Sequence, residues 1–120
     1  MSRFPITALR SVAIGTPDLA LSERFYTEVW GLEVAARQGE AVYLRATGAD
    51  HHVLALHPRA AAEILSVTFR VDAATDLGQL GERAVRLGAR VLSGPAPTGE
   101  PGGGVLLELA EPQGGVYRFV

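Results

Sequence analysis

The chain repeats itself once, and that repeat limits its fold more than any other feature. Ser11-Val12-Ala13-Ile14 returns as Ser66-Val67-Thr68-Phe69 after 55 residues, and Trp30-Gly31-Leu32-Glu33-Val34 returns as Leu87-Gly88-Ala89-Arg90-Val91 after 57. A period above about 50 residues used only twice marks a duplicated supersecondary module. A solenoid needs at least three copies to bury a continuous core. The two modules are expected over about residues 7–58 and 63–120, inside a single domain of residues 1–120. A chain of this length can bury roughly two thirds of its unfolded surface.

Each half reads as strand, helix and three strands. In the first, Leu19 to Trp30 carries Leu21, Phe25 and Val29 at i, i+4 and i+8, which predicts a core-facing helical stripe. Asp18 suits the N-cap, and Gly31 suits a left-handed stop. In the second, Leu77, Leu80, Ala84 and Leu87 predict the same stripe, between Asp76 and Gly88. Short runs rich in Val, Leu and aromatics predict strands at Ser11–Gly15, Ala41–Ala46, His52–His57, Leu65–Val71, Val105–Leu109 and Val116–Val120. Glu33–Arg37 and Arg90–Leu92 supply two more. The expected class is α+β: two tandem βαβββ modules forming a curled, barrel-like, eight-stranded mixed sheet with two helices outside.

Strand alternation then divides the side chains. Val12, Ile14, Val67, Phe69 and Val71 take one face, expected under the helices. Ser11, Ala13, Ser66, Thr68, Arg70 and Arg118 take the other, a small and polar face expected to line a cup. Arg70 and Arg118 would offer planar donors to a carboxylate there.

Composition removes several chemistries. All eleven basic residues are Arg, and the chain has no Lys and no Cys. Schiff-base catalysis, a Walker-type phosphate loop, disulfides and thiolate metal sites are therefore excluded. A net charge of -2 argues against nucleic acid as a partner. No apolar run approaches the ~20 residues of a membrane span, and Met1 to Arg10 lacks a signal-peptide core. A cytoplasmic location is expected, and the Arg- and Ala-rich composition suggests a GC-rich, bacterial coding sequence.

The duplicated modules resemble the vicinal oxygen chelate superfamily: glyoxalase I, the bleomycin-resistance proteins and the extradiol dioxygenases. The resemblance runs from Leu9 to Val120. It is carried by Phe25-Tyr26-Thr27-Glu28-Val29-Trp30-Gly31-Leu32, like the family's "FYtdvLGL" helix end, and by Glu111-Pro112-Gln113-Gly114, like its "DPdG" turn. Gly39-Glu40-Ala41-Val42-Tyr43-Leu44-Arg45 followed by His51-His52-Val53-Leu54-Ala55-Leu56 looks most like the N-terminal domain of type I extradiol dioxygenases. Metal-binding members hold Fe(II), Mn or another divalent ion with one His from each module and a Glu near the end. Those positions fall here on Ser11, Ser66 and Arg118. An arginine there is a permanent cation and repels a metal ion.

The resemblance therefore implies no metal and no catalytic residue for this chain, as in the metal-free N-terminal domain of an extradiol dioxygenase system. Fe(II) or another divalent metal would enter only with a catalytic partner domain. Two alternatives stand beside it: a stand-alone homodimeric protein binding a small polar or aromatic ligand, and a divalent-metal dioxygenase or lyase with non-standard ligands. The expected protein partner is a second copy or a C-terminal catalytic domain.

Other features read as structural. His51 and His52 are expected at an exposed strand start, facing opposite ways, and His57 beside Pro58 at an exposed strand end. Trp30 reads as a core or dimer contact. Glu108 has no His or second carboxylate placed to make an acid–base pair. The glycine-rich run Ser93–Gly104 reads as a flexible hairpin loop, or as a lid over the cup.

Overall fold

The computed structural model describes residues 5–120. The elements follow the order β1 (Ile6–Thr16), α1 (Leu19–Glu28), β2 (Glu33–Gln38), β3 (Ala41–Arg45), β4 (Leu54–Pro58), β5 (Glu63–Val71), α2 (Leu77–Arg86), β6 (Arg90–Pro97), β7 (Val105–Ala110) and β8 (Val116–Phe119). This is the expected α+β class, with two βαβββ modules, eight strands of mixed direction and two helices.

The chain forms two compact units. One is Arg10–Leu65 with Glu100–Gly102; the other holds Ser66–Gly99, Gly103–Val120 and the stretch ending at Leu9. In the first, the strands run β2-β3-β4-β1, with β1 parallel to β4 and the other neighbours antiparallel. In the second they run β5-β8-β7-β6, with β5 parallel to β8. The start of the chain joins this second unit: Asp72 N–H donates to the Pro5 carbonyl at 2.6 Å, and Thr7 Oγ1 to the Arg70 carbonyl at 3.3 Å.

Both helices are capped as their sequences predict. Asp18 accepts from Leu21 N–H, and Asp76 accepts from Gln79 N–H, at 3.0 and 3.1 Å. Gly31 and Gly88 stop them with φ of 76° and 100°, a conformation that costs a residue with a Cβ.

The first unit is built on two clusters. Val42, Leu44, Leu54 and Leu56 are buried beneath α1, joined by Val12, Ile14, Leu19, Tyr26 and Leu32. On the opposite face Ala13, Ala41, Tyr43 and Ala55 form a second cluster, packed by Ala36 and Leu65. That face is thus alanine and tyrosine around Ser11, less polar than alternation along β1 alone implied.

The stripe expected on α1 is overturned. Leu21, Phe25 and Val29 are 62, 46 and 67% exposed. Leu19, Ser22, Glu23, Tyr26 and Thr27 are the partly buried face instead. The polar members are satisfied locally, which removes the usual cost of turning them inward. Ser22 Oγ meets Thr16 Oγ1 at 2.7 Å, Glu23 takes two bonds from Arg37 at 2.7 and 2.9 Å, and Thr27 Oγ1 donates to the Glu23 carbonyl at 2.8 Å. Trp30 is also exposed, against Phe25 and Tyr26 at ring separations of 6.0 and 4.7 Å, so within this chain it is not a core residue.

In α2 the expected stripe holds for Leu77, Leu80 and Ala84, which are half-buried, and fails for Leu87, which is exposed beyond the last turn. The buried position of this helix is Gly81, and a cleft of about 500 Å³ opens there, lined by Gly78, Gly81, Val85, Val91, Pro95 and Leu107. Several strand boundaries also move: β1 begins at Ile6, five residues before Ser11, and β5 at Glu63, two before Leu65. β4 begins at Leu54, after His52, and β6 continues to Pro97, so half of the expected glycine-rich loop is strand paired to β7 with register shifts.

Candidate functional site

Register places one polar row in the second unit. On β5, Thr68 pairs with Arg118 of β8, and Arg118 pairs with Glu108 of β7. Three adjacent strands therefore carry a hydroxyl, a guanidinium and a carboxylate side by side. Arg118 Nε lies 3.3 Å from Glu108 Oε2, with the side chains 13 and 29% exposed. A cation largely removed from water needs such a partner. Sequence reasoning left Glu108 unpaired. The signal was present, since residues 108 and 118 are equidistant from the centre of the Glu111–Gly115 turn, a turn closed by Gly115 N–H to the Glu111 carboxylate at 2.8 Å.

Ser66 and Thr68 are both buried on β5, whereas Arg70, two residues further along, is exposed. Thr68 and Arg118 are thus brought together, and Arg70 is turned to the surface. Ser11 is buried in the other unit, on the same face of β1 as Ala13.

That other unit holds a cluster which the sequence reading placed in solvent. His52 is only 4% exposed, and its ring packs edge-on against Tyr43 at 4.8 Å. His57 packs on Tyr43 at 6.3 Å and is half-buried. His51 and His52 precede β4, so strand alternation does not separate them. Their Nδ1 atoms meet at 2.9 Å. One ring must supply the proton and the other the lone pair, so both cannot be protonated at Nδ1 while this bond stands. The burial comes from tertiary contact with Tyr43, which spacing along the chain does not reveal. Gly102, at the tip of the glycine-rich segment, approaches so closely that a Cβ there would lie 3.0 Å from His51 Cβ and 3.1 Å from Arg10 Nη2.

The donor set does not suit a divalent ion at the positions implied by the resemblance. Ser11 and Ser66 offer neutral hydroxyls, and Arg118 is a cation held by Glu108. Among the described residues no three His, Cys, Asp or Glu side chains stand where they could hold one ion. No described helix is long and apolar enough to cross a membrane.

Comparison with known proteins identifies the family and relatives of the same fold. The family profile "Glyoxalase/Bleomycin resistance protein/Dioxygenase superfamily" matches residues 8–116. A manganese-dependent 2,3-dihydroxybiphenyl 1,2-dioxygenase from Geobacillus genomosp. 3 is 32% identical over 109 residues, covering 90% of this chain and 34% of the relative. Among solved structures, the Mn(II)-bound glyoxalase from Novosphingobium aromaticivorans superposes with a TM-score of 0.89 at 30% identity, covering 96% of this chain and 38% of that one. A variant of homoprotocatechuate 2,3-dioxygenase from B. fuscum gives 0.85 at 29% identity, covering 97% and 32%. The chain spans about a third of the length of each of these relatives.

Proposed function

Since the chain belongs to the glyoxalase/bleomycin resistance protein/dioxygenase superfamily, we propose that it serves as the metal-free, N-terminal-type domain of an extradiol ring-cleavage dioxygenase system. One observation carries this reading: the position of the metal-binding carboxylate holds Arg118, and Glu108 neutralises it from the next strand. The pair fills with an internal ion pair the place where the family's resemblance puts a metal ligand. Such a domain contributes packing surface to a longer enzyme, and the ring-cleaving chemistry falls to a module carrying two His and one Glu. The shares of the relatives covered, about a third in each case, support the same division of labour.

The test is to purify the protein as its gene encodes it, measure bound Fe, Mn, Zn and Ni, and follow oxygen uptake with 2,3-dihydroxybiphenyl. The reading expects activity only where the coding sequence continues into a His, His, Glu module. Stoichiometric metal and ring cleavage from residues 1–120 alone would overturn it in favour of an enzyme with non-standard ligands.

A second reading rests on the buried row Thr68–Arg118–Glu108. A domain that binds a small polar or aromatic ligand could present Arg118 to a carboxylate. Thermal shifts with aromatic carboxylates should then fall in Arg118→Ala. Equal shifts in both proteins would remove Arg118 as the anchor.

A further inference from the structure

We propose that the seam along α2 binds an elongated apolar molecule that ends in a protonated amine. The site lies wholly within the second unit and shares no residue with the Thr68–Arg118–Glu108 row. Two clefts make it. One, of about 500 Å³, is lined by Gly81, Val85, Val91 and Leu107; the other, of about 580 Å³, by Val71, Leu77, Val105 and Val120. Gly78 and Pro95 border both, so the two run into one groove. Val85, Val91 and Val105 stand 52, 41 and 50% exposed along it, apolar surface that the fold leaves in water.

The duplication supplies a control. Counted from the N-caps Asp18 and Asp76, Glu23 and Thr27 of α1 occupy the positions of Gly81 and Val85. Those two side chains are half-buried and bonded within the first unit, Glu23 to Arg37 and Thr27 to the Glu23 carbonyl. A glycine inside a helix costs stability relative to alanine, so the opening at Gly81 belongs to this sequence and is not demanded by the module.

Charge identifies the ligand. The end of the groove at the start of α2 is lined by Asp72, Thr75 and Asp76. Each aspartate spends one carboxylate oxygen on a backbone N–H, of Ala74 at 2.8 Å and of Gln79 at 3.1 Å. Among the described residues neither meets a cation. The helix N-terminus sets about half a positive charge against these two negative ones, so the balance favours a cation. Thr75 Oγ1 is buried with no hydrogen-bond partner, an orphan that a ligand's head group would satisfy. Its present setting makes no bond, so turning the hydroxyl to the groove sacrifices none. At the far end Glu82 and Arg86 cancel, which gives a molecule with one cationic end a single preferred direction. Asp76 and Val85 are nine residues apart, about 13 Å along the helix, the reach of a saturated chain of roughly eight to ten carbons.

The probe is n-octylamine, titrated at neutral pH and low salt into nitrogen-15-labelled protein, with n-octanol and n-octanoate as controls. The amine should shift the amide signals of Asp72, Thr75, Gly81, Val85 and Val91, with a dissociation constant on the order of 0.1–1 mM. Octanoate should bind at least about tenfold more weakly. Thr75→Val removes the hydroxyl and keeps the shape, so it should weaken the amine about threefold while leaving the fold at least as stable. Asp72→Asn/Asp76→Asn, which keeps a capping side chain at α2, should abolish the preference for amine over octanol. Gly81→Ala should weaken amine and octanol alike by narrowing the cleft. No shift at these amides with millimolar amine, or octanoate binding as tightly as the amine, would overturn the proposal. An amine preference that survives the double Asn variant would overturn the role of the carboxylates. Unchanged affinity in both Thr75→Val and Gly81→Ala would overturn the groove as the place of binding.

Discussion

Helices α1 and α2 begin on the same aspartate cap and end at the same kind of left-handed glycine, yet they turn different mixtures of side chains toward their sheets. α2 sets Leu77, Leu80 and Ala84 inward and shows Gln79 and Arg83 to solvent. α1 sets Leu19 and Tyr26 on its core cluster but tucks Ser22, Glu23 and Thr27 in beside them, and shows Leu21 and Phe25. The difference teaches that the module specifies a helix at this place more tightly than it specifies the helix's inner face. Where inward polar groups find partners on their own strands and turn, the apolar row is released for other use.

The contrast extends to the cores, where the largest mutational effect is expected. Leu44 is fully buried in a cluster sealed by Tyr26 and Leu32. Leu107 is equally buried but borders the cleft beneath Gly81. Leu44→Ala should cost about 3–5 kcal/mol in urea unfolding and Leu107→Ala nearer 2, because a void beside an open cleft is more easily relaxed or hydrated. Equal costs would mean that the second core is as tightly closed as the first.

The polar row gives the next effect. Arg118→Met removes the cation facing a mostly buried Glu108 carboxylate and should cost about 1–3 kcal/mol. Arg118→Met/Glu108→Leu should recover most of that loss, because the pair then leaves together. A double variant as unstable as the single one would indicate that Arg118 acts through packing and not through its charge.

The same two modules show what a sequence discloses and where it stops. Caps, glycine stops and the 55-to-57-residue echo are local and repeated, so both helices and the eight strands were legible before any contact was known. The Arg118–Glu108 pair was legible in principle from symmetry about the Glu111–Gly115 turn. The inversion of α1 was not, because it depends on Arg37 reaching Glu23 across fourteen residues and on Thr16 meeting Ser22. The burial of His52 depends on Tyr43, which arrives from a neighbouring strand. Residues whose placement is set by their own strand or turn could be read; those set by a distant partner could not.

A smaller effect probes the cleft. A Cβ on Gly81 would meet Val91 Cγ2 at 3.5 Å and Leu107 Cδ1 at 3.6 Å, ordinary contact distances. Gly81→Ala should therefore stabilise the protein by about 0.5–1 kcal/mol, through a less flexible unfolded chain and a better-filled cleft. A loss of stability would show that α2 packs closer to its sheet in solution.

The smallest effect belongs to the inverted face of α1. Arg37 donates two bonds to the Glu23 carboxylate, and these, outweighing the partial burial, hold its pKa below the ordinary value of 4.5. A carboxylate whose folded pKa is depressed binds fewer protons than in the unfolded chain, so its stabilisation is present above about 4.5 and is lost as pH falls through the lower folded value. Arg37 is largely exposed, which screens the pair and keeps the contribution modest. Glu23→Gln should lower Tm slightly at pH 7, and the two unfolding curves should converge as the pH falls below the ordinary carboxylate range. If the gap instead persists unchanged into acid, the inward Glu23 stabilises α1 by shape and hydrogen bonding alone. The charge pairing would then no longer explain why this helix, unlike α2, can hold its polar side against the sheet.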